Sequence, residues 1–287
     1  VFVSSVVLIV AVGAWFVIAS RPPRPYPNAS PDEMLDSMVK AVQRRRAGRL
    51  VELIEVAPPG DTQTDRERMA DLYLVLGRVL DSAQRLADTT ADRFPAELEA
   101  FRAAAERGET PSLLGAMAKS AAGRRGGGQF EFGFGADPEK QHAFSRALSG
   151  LLADPYRKLA EGRDHLSTTP VGEDTEALLW DGRPIMPPIG VLVRRQPEGG
   201  WKVVPPTALP GVSRFLPRTE SEYAIWGSLL VTLENVLIDL EKDVREGRVK
   251  SLDELSDRAV EKAVVPLGMV MVAYGRAMDA GERDPEP

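Results

Sequence analysis

The chain has 287 residues, is 43% hydrophobic and 27% charged, and carries a formal net charge of -6 at pH 7, a composition that suits a folded protein and excludes disorder over most of the length. Positive and negative charges balance over residues 1 to 135 and the acidic surplus lies beyond them. The arginine clusters are short and scattered, so the basic face that a nucleic acid requires is not expected. Cysteine is absent, which removes disulfides, thiolate catalysis and cysteine-based zinc sites.

Residues 1 to 19, VFVSSVVLIVAVGAWFVIA, carry no charge. As a helix rising about 1.5 Å per residue they match a hydrocarbon core of about 30 Å. An uncleaved single-pass anchor fits best, because the run exceeds the roughly 7–15 residues of a signal-peptide apolar region and Trp15-Phe16 resembles an interfacial anchor. A cleaved signal peptide ending at Val17-Ile18-Ala19 is the runner-up, and a buried soluble helix the third reading. The following RPPRPYPNASP, residues 21 to 31, reads as an extended, stiff tether. Arg21 and Arg24 favour a cytoplasmic globular part by the positive-inside rule. An anchor followed by a proline-rich tether is the layout of an exported, membrane-held domain, and an extracytoplasmic domain is the expectation.

Ser30-Pro31-Asp32-Glu33 combines an N-cap, a proline at the first helical position and a capping-box Glu, so a helix is predicted from there, with Met34, Leu35, Met38, Val39 and Val42 inward. Leu50 to Ile54 continues it or opens a second short helix. Thr64-Asp65-Arg66-Glu67 reads as a second capping box before a long core helix bearing Met69, Leu72, Leu76, Val79 and Leu86. Shorter helices are expected at about 95–107 and 111–122. Gly123 to Gly128, with Arg124 and Arg125, then leads into a period-two run, Phe130, Phe132 and Phe134, that predicts a strand. Asp137-Pro138 and Asp154-Pro155 open two more helices.

Residues 165–170, 174–181, 188–195 and 200–205 are the predicted strands of a β meander, the last two joined by Gln196-Pro197-Glu198-Gly199-Gly200 as a hairpin loop. Two further capping boxes, at Thr219 to Glu222 and Ser251 to Glu254, open two closing helices, and Pro266 is expected to kink or restart the second. The fold class that results is α+β and mostly helical: an N-terminal transmembrane helix, then helices on a small antiparallel sheet, closed by a helical hairpin. The boundaries read as 1–20 anchor, 21–31 tether, 32–210 α+β domain with a helical insertion at about 61–122, 211–280 C-terminal hairpin and 281–287 disordered tail.

Few residues point to chemistry. Gly115 to Ser120 imitates a phosphate loop, but Ala118 stands where glycine is needed before Lys119 and the preceding element reads as helix. In the loop at 123–128, Arg124 and Arg125 could hold an anion. It runs from helix to strand, however, opposite to common phosphate loops, so those arginines read first as cations closing a helix C-terminus. His142 and His165, the two histidines, have no metal-ligand spacing, so no metal is expected. The acid-base candidates are Asp164, His165, Asp174 and Asp181, with Trp180 and Trp201 as pocket-lining residues. The simpler reading is that the carboxylates mark turns and the tryptophans fill the core. No cofactor is expected.

The helix–strand–helix–meander order, with Ser30 to Val56 as opening helices, Val171 to Leu179 as a strand start and Val191 to Arg195 through Gly200-Trp201-Lys202-Val203-Val204 as a final hairpin, resembles the nuclear-transport-factor-2-like fold over about half the chain. That resemblance implies a curved sheet wrapped by helices into a cone, and a pocket without specified contents. The function expected first is a membrane-tethered, non-catalytic binding or assembly domain of the cell envelope with a protein partner. The rivals are a cone-fold isomerase or dehydratase using those carboxylates and His165, and an accessory single-pass subunit of a membrane complex.

Overall fold

The computed structural model describes residues 26–56, 62–106, 156–185, 190–205 and 216–281. The apolar run 1–19 and the start of the tether lie outside these. So do the helices expected at 111–122 and from Asp137, the loop carrying Arg124 and Arg125, the strand expected at Phe130 to Phe134, and His142.

Ser30 does cap the first helix. Its Oγ accepts from Glu33 N at 3.2 Å, while the Glu33 carboxylate reaches past Ser30 to Ala29 N, and α1 runs Pro31–Gln43. Met34, Leu35, Val39 and Val42 are buried on its inner face. Ala47–Leu53 then forms a 3-10 helix rather than a continuation of α1, because Arg45, at φ 57°, turns the chain out of the helical path.

α2 runs Gln63–Arg93. Its cap is Thr62, whose Oγ1 accepts from Asp65 N at 3.0 Å, so the expected box at Thr64 is displaced by two residues. The same Asp65 serves, as the third helical residue of the earlier start. After Phe94, α3 covers Pro95–Glu106. A short α4, Arg157–Glu161, leads into the sheet.

The sheet is antiparallel: β1 Leu166–Gly172, β2 Thr175–Trp180, β3 Arg183–Pro184, β4 Val191–Arg195 and β5 Trp201–Val204. Its order is β1-β2-β4-β5, with β3 sharing the β4 side of β2. Two corrections to the strand readings follow. His165 belongs to a 3-10 turn, Arg163–His165, before β1. Val171 to Leu179 is not one strand start but the end of β1, the Glu173-Asp174 turn and most of β2, as the Gly172–Thr175 pairing requires. Alternation places Leu166, Leu178, Trp180, Val191, Val193, Trp201 and Val203 on one face. There they pack with Met34, Leu35, Met38, Leu53 and Leu159.

α5, Glu220–Arg245, has the full capping box expected of Thr219 and Glu222, and α6 spans Leu252–Gly281 and continues through Pro266. The ion pairs Arg68–Glu220, Arg78–Glu234 and Arg85–Glu241 advance together along α2 and α5, so these helices run parallel. α6 returns antiparallel to α5, as Asp243–Lys262 at one end and Trp226–Tyr274 at the other show. Val79, Leu86, Phe94, Leu98, Leu240, Val244 and Leu255 fill the core of this helical layer. The fold is therefore mostly helical with a small antiparallel sheet, and α2 lies between the helical layer and the 3-10 helix that backs the sheet.

By length and composition one helix among the described residues, α5, is apolar enough to cross a membrane, with an 18-residue window of mean hydropathy 1.3. Within the fold Leu230, Leu233, Val236, Leu237, Leu240 and Val244 of α5 pack in the helical core while Val231 and Ile238 are exposed, 22% of that window is buried, and Glu234 and Glu241 pair with arginines of α2.

Candidate functional site

Two places on the sheet gather polar chemistry. The first is built by a tight hairpin. Trp180 pairs with Arg183 across a two-residue turn whose members, Asp181 and Gly182, have φ of 49° and 71°. Asp-Gly is the pair such left-handed turns select. The turn presents Asp181 to the 3-10 turn that precedes β1: Asp181 N donates to the His165 carbonyl at 2.9 Å, and His165 Nδ1 lies 2.6 Å from Asp181 Oδ1. The imidazole stacks on Trp180, with ring centroids 5.2 Å apart and 14° between planes. A carboxylate on Nδ1 orients the ring and leaves Nε2 as the group for proton transfer.

The partner of His165 is thus Asp181, sixteen residues away, and not its neighbour Asp164. Asp174 sits in the turn at the other end of β2, where its carbonyl accepts from Arg195 N. Strand rise separates it from Asp181 by more than about 20 Å, so the four acid-base candidates do not converge. His165 and Asp181 are open to solvent, with side-chain exposures of 53% and 60%. Trp180 is half-buried in the core between sheet and α1, and Trp201 packs there too.

The second place lies at β5. Trp201 N donates to the Asn28 carbonyl at 2.6 Å, and the Asn28 amide donates back to the Trp201 carbonyl at 2.9 Å. Glu55 N extends the same edge by donating to Val203 O. Asn28, which falls within the run read from the sequence as a tether, is thereby fixed to the hairpin and buried in the fold. Gly200 permits it in two ways: its φ is 90°, and a Cβ there would lie 2.8 Å from Asn28 Oδ1. Beside this clasp opens a crevice of about 290 Å³, lined by Tyr26, Asn28, Glu52, Leu53, Glu198 and Lys202. Tyr26 and Asn28 are 5% and 6% exposed, and Leu53 forms an apolar floor at 2%.

The polar groups around this crevice are largely unengaged. Glu52 is paired with Arg49, whose guanidinium this pairing holds above its ordinary pKa. Glu198, Lys202 and Asn28 Oδ1 have no hydrogen-bonding or ionic partner among the described residues, while Tyr26 lies beside the Arg49 guanidinium and interacts with it electrostatically. None of these residues was singled out from the sequence. The signal available was the hairpin PEGGWK, which sets a carboxylate and an amine on either side of two glycines, and the TyrProAsn of the tether, which reads as spacer until its packing is known.

Among the described residues no group of three His, Asp or Glu side chains is arranged to hold a metal ion. Comparisons of the chain with protein-family models, with curated proteins and with solved structures gave no match.

Proposed function

We propose that the protein is a membrane-tethered, non-catalytic binding or assembly domain, held on the extracytoplasmic side of the membrane by residues 1–19. The observation that carries the reading is the crevice at Tyr26, Asn28, Glu198 and Lys202, a concave site with an apolar floor and unengaged polar groups of the kind that takes small ligands. It lies where the tether enters the domain, so an occupant would bridge the tether's root and the β4–β5 hairpin. The backing of an antiparallel sheet by α1 and the 3-10 helix is compatible with a cone-like domain of the nuclear-transport-factor-2-like kind.

The chain lacks cysteine, which makes the topology directly testable. Glu99, exposed on α3, is replaced by Cys in the full chain, and intact cells are treated with a membrane-impermeant maleimide. Labelling without lysis is expected, with the protein in the carbonate-resistant membrane fraction and released from it when residues 1–19 are deleted. Labelling only after lysis would reject the extracytoplasmic placement, and a full-length protein recovered in the soluble fraction would reject the tether.

A second reading rests on the His165–Asp181 contact. An imidazole oriented by a carboxylate and open at Nε2 can remove a proton next to a carbonyl. Such an enzyme would exchange solvent deuterium into the α-position of small ketones, and His165→Gln would abolish the exchange. Absence of exchange across a panel of ketones and aldehydes would count against it.

A further inference from the structure

We infer that the crevice beside β5 binds a neutral, hydroxyl-rich small molecule of the saccharide class. This rests on the binding reading above and names the occupant of the same site. Glu52 is neutralised by Arg49, and the remaining two ionic groups, Glu198 and Lys202, are of opposite sign. The site therefore carries no net charge, which gives a free anion or cation no overall attraction.

Hydrogen-bond character comes next. Glu198 and Asn28 Oδ1 are acceptors, Lys202 is a donor and the Tyr26 phenol is both. Glu198, Lys202 and Asn28 Oδ1 lack partners among the described residues, while Tyr26 interacts with Arg49, and Asn28 is more than nine-tenths buried. A hydroxyl donates once and accepts twice, so adjacent hydroxyls on one ring satisfy an alternating set of donors and acceptors that a purely cationic or purely anionic ligand leaves half unpaired. Buried polar groups left unpaired oppose binding.

Shape and size agree. The floor at Leu53 and the edge of the otherwise buried Tyr26 supply a small apolar surface for the C–H face of a pyranose ring, while the polar groups stand around it. At about 290 Å³ the crevice is at the small end of ligand pockets, a size for one sugar unit with a second extending to solvent. Asn28 is held by both of its bonds to Trp201, so its Oδ1 is positioned before a ligand arrives.

The test uses the full chain in a detergent without a sugar headgroup, titrated with D-glucose, N-acetyl-D-glucosamine, cellobiose and chitobiose and followed by saturation-transfer NMR. Putrescine and inorganic phosphate are run in parallel. Saturable binding of at least one sugar is expected, weakened tenfold or more by Glu198→Gln and by Lys202→Met and unchanged by Thr169→Ala on the distant β1. Thermal unfolding of each variant establishes that it is folded; Glu198 is exposed in the hairpin loop, so its replacement tests the site without disturbing the core. Sugar binding unaffected by both variants would overturn the assignment. Putrescine or phosphate binding that the same variants abolish would overturn the ligand class and retain the crevice as a binding site. No binding by any probe would overturn both, while membrane attachment is measured separately by the fractionation above.

Discussion

Gly48 and Gly77 meet backbone to backbone: a Cβ on Gly48 would lie 2.5 Å from the Gly77 carbonyl oxygen, and one on Gly77 would lie 3.1 Å from that of Gly48. This approach seats the 3-10 helix on α2 closely enough for Asp81 to accept from Gly48 N at 2.7 Å and for Gln84 to accept from Ala47 N at 2.9 Å. Gln84 also donates to the Val42 carbonyl at 2.8 Å, so the buried backbone groups at the start of the 3-10 helix are satisfied by α2 side chains.

Gly48→Ala should therefore destabilise the fold by about 1–3 kcal/mol, since the obstacles are the Asp81 carboxylate that accepts from Gly48 N and main chain that cannot move aside. Gly77→Ala should have a much smaller effect. Its nearest obstacle is looser, and alanine in a helix interior recovers up to about 1 kcal/mol over glycine. Urea unfolding of the two variants checks the order, and equal losses would mean that the approach is not what limits the packing.

The turn between α5 and α6 depends on a buried charge. Asp243, whose side chain is 6% exposed, holds Lys262 Nζ and the Arg248 guanidinium, each at 2.8 Å. Asp243→Ala should cost about 3 kcal/mol, because Lys262, only 26% exposed, retains just Asp239 at 3.7 Å. Lys262→Met should cost less, since Arg248 still answers Asp243. A loss for Asp243→Ala under about 1 kcal/mol in denaturant unfolding would refute the role assigned to the pair.

Such pairings mark the limit of what the sequence discloses. Helix starts were legible wherever a cap is local: Ser30, Thr219 and Ser251 each accept from the backbone N–H three residues on, and a reading of four residues suffices. At Thr62 the same chemistry was misplaced because Thr62 and Thr64 both precede acidic residues. The four expected strands are present, with ends that differ by up to three residues and coincide at Arg195. The asparagine clasp on Trp201, the glycine contact between the 3-10 helix and α2, and the pairing of His165 with Asp181 join residues 173, 29 and 16 positions apart. No spacing rule reaches across such intervals. The carboxylate that contacts His165 is accordingly Asp181, at the end of β2, and not the neighbouring Asp164 that adjacency suggests.

His165 and Asp181 make a short contact, yet both are solvent-exposed, and exposed pairs stabilise little. His165→Ala should lower stability by no more than about 1 kcal/mol while changing the fluorescence of Trp180, on which the ring stacks. Asp181→Asn keeps a residue that tolerates the left-handed turn and should be similarly mild, whereas Asp181→Val should be clearly worse, because a β-branched side chain resists positive φ. Equal stability of the Asn and Val variants would show that the turn does not need its left-handed residue.

Alkaline pH should weaken the fold through its tyrosines. The Tyr156 hydroxyl donates to the Leu80 carbonyl at 2.9 Å; burial drives its pKa well above the ordinary value, and the Asp81 carboxylate adds to the shift. Tyr73 is raised in the same way, by burial and then by Glu55. Above pH about 10 the unfolded chain releases these protons while the folded chain keeps them, so the unfolded state binds fewer protons and stability falls as pH rises. The contribution is complete below that pH and disappears as the folded-state value is passed. Tyr156→Phe should lose roughly 1 kcal/mol at neutral pH with its hydrogen bond, and its decline above pH about 10 should be shallower than that of the wild type. Unfolding free energies measured from pH 7 upward distinguish the two effects, and parallel curves for both proteins would exclude Tyr156 as a source of the alkaline loss.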